Sequence, residues 1–174
     1  MSFDAFCYSI ADKAKIPGET QDADMKDKQA FEIISFELGA ENVINIGSIS
    51  GGGGAGKATF KEFTITKKTD TASTGLFECL VTGNHFKDMI IELRRSGAGN
   101  NKSGGTFMKF EFRLVMVQDI SWSGSDGDDI CEETVIFQYG AIEVSYFPQA
   151  ADGKMGSPKV TRWSRVKNTN ALSV

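Results

Sequence analysis

A chain of 174 residues, 40% hydrophobic, 10% aromatic and 24% charged, has the composition of an ordinary globular protein of one domain and excludes wholesale disorder. A net charge of -4 speaks against a general nucleic-acid or membrane-surface binder, because such proteins carry a basic face to neutralise phosphates. The three cysteines, Cys7, Cys79 and Cys131, are odd in number, far apart and without C-x-x-C spacing, which indicates neither a disulfide framework nor a zinc site.

Met1-Ser2-Phe3-Asp4 opens without a basic leader, and no apolar run approaches the ~18 residues of a membrane span. The expectation is a chain made and folded in the cytosol. Asp4, Phe6, Tyr8 and Ile10 alternate with Ala5, Cys7 and Ser9, which predicts a first strand with one apolar and one small or polar face. Lys15 to Lys28 is polar and broken by Pro17 and Gly18, so no regular element is expected there. A second strand is predicted over Phe31 to Leu38, with Glu32, Ile34, Phe36 and Leu38 towards the core.

Asn42 to Gly56 carries branched apolar residues but too many glycines for a stable isolated strand pair, and reads as a long, mobile arm. Ala58 to Lys67 is a strand. Asp70 to Gly83 is the one convincing helix, with hydroxyls to cap its start, Leu76, Phe77 and Leu80 on one face, and Gly83 just past its end. Phe86 to Arg95 is a strand with Met89, Ile91 and Leu93 on one face, running into a Ser96 to Gly105 loop.

The clearest strand follows: Met108, Phe110, Phe112, Leu114 and Met116 alternate with Lys109, Glu111, Arg113 and Val115, one face buried. Ile120 to Ser123 continues it past a bend, before the acidic loop Gly124 to Asp129. Thr134 to Tyr139 and Ala141 to Phe147 read as one long strand broken near Gly140, where a bulge or bend would be tolerated. The tail from Pro148 is polar until Val160 to Val166. Eight or more strands at hairpin spacing and one short helix predict an all-β barrel or sandwich.

The glycine run Gly51-Gly52-Gly53-Gly54-Ala55-Gly56-Lys57 fits G-x-x-x-x-G-K, and Gly51, Gly53 and Gly56 fit G-x-G-x-x-G. A phosphate loop needs a helix N-terminus after the glycines and a Ser or Thr after the lysine. Here Ala58 stands in the hydroxyl's place and Lys57 enters strand periodicity, so a contact loop is the better reading. His85 is the single histidine and has no G-x-S-x-G nucleophile to serve, and Ser164-x-x-Lys167 is a chance spacing. Asp126, Asp128, Asp129, Glu132 and Glu133 do not follow the calcium-loop pattern. Trp122 and Trp163 suit a core or subunit interface. The residues thus assemble no active site, metal site or cofactor site.

Taken together, several segments resemble one family. They are Gly18-Glu19-Thr20, Phe31-Glu32-Ile33-Ile34-Ser35-Phe36, Gly53-Gly54-Ala55-Gly56-Lys57, Phe63-Thr64-Ile65-Thr66-Lys67, Asp70-Thr71-Ala72-Ser73, Gly83-Asn84-His85, Glu132-Glu133-Thr134-Val135 and Trp163 to Asn168. In this order, from about Phe3 to Asn168, the chain resembles the haemolysin-coregulated protein (Hcp) family, the tube protein of bacterial type VI secretion. Departures are a longer Cys7 to Ile16 segment, Lys28 to Ala30 without the His and Trp common before the second strand, and Arg162 where Gly often precedes the Trp.

The resemblance implies a barrel of two β-sheets with one short flanking helix and a long extended loop, spanning residues 1–174 with a C-terminal segment over 148–174. It implies a homohexameric ring, rings stacked into a hollow tube, a spike protein at the tip and a contractile sheath around it. The tube would carry small effector proteins in its lumen and leave the bacterial cytoplasm without a signal peptide. No cofactor and no catalysis are implied. The inter-ring contact falls on Asn45, Ile46, Gly47, Ser48, Ile49, Ser50, Gly51, Gly52, Gly53 and Gly54, in an arm ending at Gly56. Ser35 and Glu37, opposite Phe36 in the alternation, are the lumen candidates. Two other classes remain open: a monomeric small-ligand-binding β-barrel and a phosphate-loop enzyme.

Overall fold

The structure, a computed structural model, describes residues 3–45, 54–95 and 105–174. Its strands are β1 (Phe3–Tyr8), β2 (Phe31–Glu32), β3 (Ser35–Glu37), β4 (Ala40–Glu41), β5 (Ile44–Asn45), β6 (Gly54–Ala55), β7 (Thr59–Phe60), β8 (Phe63–Lys68), β9 (Phe86–Arg95), β10 (Thr106–Ser123), β11 (Glu132–Tyr146) and β12 (Lys159–Ser164). The helix α1 is Ser73–Thr82. Single 3-10 turns at Lys13–Lys15 and Lys26–Lys28 punctuate a segment from which no regular element was expected.

One curled sheet runs in the order β2-β1-β9-β10-β11-β8-β3, with β12 added to β11, and two small pairs, β4–β7 and β5–β6, stand beside it. The two edge strands of this order, β2 and β3, are neighbours in sequence. Between them the Ile33 amide donates to Ala5 at 3.0 Å and the Ile34 amide to Thr66 at 2.7 Å. The chain therefore stitches one sheet edge to the other, which curls the sheet towards a barrel. This overturns the expected facing in the first half of the second strand, while Phe36 and Leu38 pack against the core as expected. Phe31 and Ile33 are buried and Ile34 is 55% exposed, because the segment changes partner from β1 to β8 halfway along.

Both faces of β1 are covered. Ala5 and Cys7, the small side, enter the main core, while Phe6 and Tyr8 form a second cluster with Met25, Ala30 and Ile90. At the centre of the main core Phe63 stacks between Phe112, at 4.0 Å, and Phe137, at 4.5 Å. Offset ring stacking of this kind adds to area burial.

β10 keeps the predicted alternation only to Phe112. Leu114 has a φ of 52°, and beyond it Val115 and Val117 are buried while Met116 is 42% exposed. The burial of the partner strand changes phase at the same level, at Gly140, but β11 runs through it unbroken and in register, so the expected break is absent. A Cβ at Gly140 would lie 3.0 Å from the Val174 side chain and 3.1 Å from that of Leu114, so any side chain here would have to displace both by a few tenths of an ångström.

α1 lies where the sequence places it and ends on Gly83 with a φ of 69°. Its start differs from expectation: no hydroxyl caps it. Instead the Asp70 carboxylate accepts the Ala72 amide at 2.9 Å and Ser73 Oγ accepts the Asp70 amide at 3.0 Å. Leu76 and Cys79 face the core, whereas Phe77 is 44% exposed. A residue one step from Leu76 is rotated by about 100° around the helix, too far to share its buried face.

Candidate functional site

Ser35 and Glu37 lie on β3, paired with Thr66 and Thr64, and both are exposed. The arm is rooted where its sequence seemed too rich in glycine for pairing: Ile44 pairs with Ala55 and Asn45 with Gly54. A Gly56 amide bond to Val43 at 3.0 Å extends this root. The remaining arm residues, Ile46, Gly47, Ser48, Ile49, Ser50, Gly51, Gly52 and Gly53, lie outside the described residues, as does most of the Ser96 to Gly105 loop. Val43 and Ile44 at the root are 70% and 61% exposed.

Lys57 does not open a helix. It leads through Ala58 into β7, whose Thr59 pairs with Glu41. His85 is exposed, and Ser164 is buried with its Oγ accepting the Lys167 amide at 3.1 Å. Among the described residues no group of three or more His, Cys, Asp or Glu side chains is placed to hold a metal ion.

The most strongly built polar feature was not singled out in the sequence. Phe63, Ile65 and Lys67 alternate inward along β8, and Lys67 is fully buried. Its Nζ donates to Asp70 at 2.7 Å, the Lys68 carbonyl at 2.8 Å, Glu133 at 3.0 Å and Ser73 at 3.1 Å. Glu133, also buried, further accepts from Trp122 Nε1 at 2.7 Å, Ser73 Oγ at 2.8 Å and Thr69 Oγ1 at 3.0 Å. Every ionised group here is paired and hydrogen-bonded, the condition under which buried charge is tolerated. The cluster ties β8, β11 and the start of α1 together, and Lys67 also sits over the Phe31 ring. Lys67, Asp70, Ser73 and Glu133 each belong to a segment that carries the family resemblance.

A second cluster covers the outer face of β9. Asp88 accepts Ser9 Oγ at 2.6 Å and the Ala11 and Ile10 amides at 3.0 and 3.1 Å. Glu92 accepts Tyr8 at 2.7 Å and Lys28 at 3.1 Å, and Arg94 reaches Asp22 at 2.7 Å. Burial alone would raise the Glu92 carboxyl, but donors from Thr106, Tyr8 and Lys28 outweigh it and hold the group below the usual glutamate range. The same burial, with Glu92 beside it, pushes the Tyr8 phenol up. Cys7 is raised by complete burial, which leaves it an inert thiol.

A third feature is a groove of about 900 Å³ beside the arm root, with Phe60, Tyr139, Ile142 and Trp163 on its walls and Lys57 and Arg162 at its rim. It continues to Arg165, whose guanidinium lies over the Tyr139 and Phe60 rings at 5.0 and 5.7 Å and donates to the Tyr139 carbonyl at 2.9 Å.

A curled, mostly β sheet with one flanking helix and two small strand pairs beside it defines the class of fold. Residues 8–146 match the family model described as type VI secretion system effector, Hcp. The chain belongs to the Hcp family, the secreted tube proteins of the type VI secretion system. It is 30% identical over 116 residues to protein hcp1 of Pseudomonas aeruginosa, covering 66% of this chain and 70% of that protein. A solved structure described as a type six secretion system protein aligns with a TM-score of 0.85 at 29% identity, covering 98% of this chain and all of that one. Hcp1 from Salmonella typhimurium shares the fold with a TM-score of 0.74 at 22% identity, over 98% and 100% of the two chains.

Proposed function

We propose that this protein forms a homohexameric ring, that rings stack end to end into the inner tube of a type VI system, and that the lumen carries small effector proteins. The tube is capped by a spike protein, enclosed by a contractile sheath and expelled when that sheath contracts, leaving the cell without a signal peptide. The protein's role is mechanical and involves no catalysis or cofactor.

The observation that carries this reading is the arm root. An isolated two-stranded ribbon is marginal in water, and β5–β6 is a separate two-stranded pair with Val43 and Ile44 exposed at its root. A partner ring supplies the missing cover. The arm from Asn45 to Gly56 is the inter-ring contact, and its glycines adapt to the backbone they meet at an entropic cost that keeps stacking reversible. Deleting Ser48 to Gly54 is expected to leave folded rings but abolish end-to-end tubes; unchanged tube lengths in electron micrographs would refute the assignment.

Ser35 and Glu37 are assigned to the lumen, and Ser35→Gln or Glu37→Gln is expected to leave rings intact while weakening stabilisation of at least one cognate effector. Rings that still protect every effector would remove both residues from the lumen. The aromatic groove favours one other reading, a monomeric barrel for a small ligand. Light scattering separates the two: six chains for the ring, one for the ligand carrier.

A further inference from the structure

A head-to-tail ring needs two different surfaces on each chain that fit each other, and they must stand far enough apart that a chain cannot satisfy itself. Two such surfaces lie at different levels of β11. The first is the end of the β10–β11 hairpin, where Ser121 to Glu132 are all exposed. A turn with the Asp128 carboxylate accepting the Ser125 amide at 2.8 Å and Gly127 at a φ of 97° presents Asp126 and Asp129 outward. Ile130 beside them is 47% exposed. The chain from Leu114 to Gly153 contains no lysine or arginine, so the hairpin's own charges are all acidic, with Lys68 of β8 beside Glu132 at its base.

The second surface is the groove of Phe60, Tyr139 and Trp163. Among the described residues no carboxylate lines it; its rim carries Lys57 and Arg162, the latter sharing its charge with neighbouring Glu143. Its centre is apolar, with room for a branched side chain. The two surfaces differ in sign and shape, a projecting acidic tip with an isoleucine against a basic-rimmed apolar hollow. The length of β11 between Glu132 and Ile142 is about 33 Å at about 3.3 Å per residue, so a tip does not reach its own groove.

We propose that the hairpin tip around Asp126, Asp129 and Ile130 seats in the Phe60–Tyr139–Trp163 groove of the next copy of this chain, with Lys57 and Arg162 opposite the carboxylates. This rests on the ring reading above and assigns it a lateral contact. Charge complementarity across the contact fixes the direction of assembly, since tip against tip is repulsive.

The test is a charge swap read by light scattering. One variant carries Asp126→Lys and Asp129→Lys, the other Lys57→Glu and Arg162→Gln. All four positions are exposed, and unchanged far-UV circular dichroism confirms the fold of each. Each variant alone is expected to drop from six chains to one, and an equimolar mixture to recover the six-chain species, because each supplies the face that the other needs. A wild type of one chain refutes the ring reading and this contact with it. A six-chain wild type whose variants also form six chains overturns this contact and leaves the ring standing, as does a mixture that fails to recover. Independently, Asp129→Cys with Lys57→Cys in a Cys131→Ser background is expected to give an oxidised ladder up to six chains, and monomer bands alone overturn the contact.

Discussion

The two polar clusters of this protein solve different problems with similar groups. Around Lys67 and Glu133 both partners have no side-chain exposure, and the donors to Glu133 come from Lys67 on β8, Trp122 on β10, Thr69 in the turn before α1 and Ser73 at its start. On the outer face of β9, Arg94 is 5% exposed but its partner Asp22 is 23% exposed, and Lys28 opposite Glu92 is 40% exposed. The first is a closed knot inside the fold. The second is a row of tethers holding the segment from Ser9 to Glu32 against a strand. Closure multiplies the cost of losing one member, because the remaining charge has no water to turn to. Partial exposure lets water and counterions replace a lost partner.

Removing one charge from each cluster sharpens that contrast. Lys67→Met keeps the length of the side chain and leaves Glu133 buried with neutral donors only. The expected loss is about 3–5 kcal/mol of unfolding free energy, measured by urea denaturation. Asp88→Ala on β9 removes the acceptor of Ser9 Oγ and of the Ile10 and Ala11 amides. The expected loss is about 2 kcal/mol, the cost of leaving donors unpaired where water enters in part. Equal losses for the two substitutions would end the distinction between knot and tether.

The knot also marks the border of what the sequence discloses. Strong period-two alternation made β9, β10 and β11 readable, and turn chemistry at Asp70 and Gly83 bounded α1. Phe63, Ile65 and Lys67 already placed a lysine on an inward face, but its meaning depends on Glu133, 66 positions away, and no local pattern supplies a partner at that range. The facing of Phe31 to Ile34 failed for the same reason: the segment joins both edges of the sheet, so the phase that holds at Phe36 and Leu38 does not extend back to it. Phe77 was assigned to the core by hydrophobicity where helix geometry places it outside. Of the candidate site, Ser35 and Glu37 are exposed on β3 while Phe36 between them packs against the core, and the root of the arm pairs because Ile44 and Asn45 find partners in Ala55 and Gly54. The groove is not legible in the sequence because Phe60, Tyr139 and Trp163 come from three distant segments.

Acid provides the gentlest way to separate the clusters. Glu92 and Asp22 are both held below their usual ranges: burial opposes the shift, while donors to Glu92 and the Arg94 guanidinium beside Asp22 outweigh it. A carboxylate with a lowered folded value contributes stability that is present above its unfolded value, about 4.3 for Glu and about 3.9 for Asp. That contribution is lost as pH falls through the folded value. Stability from the β9 tethers is therefore constant near neutrality and declines only below about pH 4. Because Asp22 and Lys28 are partly solvated, the decline is expected to loosen the loop before the sheet unfolds. Hydrogen exchange followed from pH 5 to pH 3, corrected for intrinsic rates, should show the Ile10, Ala11 and Met25 amides losing protection while Ile65 and Phe137 retain theirs. Loss of protection at all five amides over the same pH interval would mean that the tethers and the knot open as one unit.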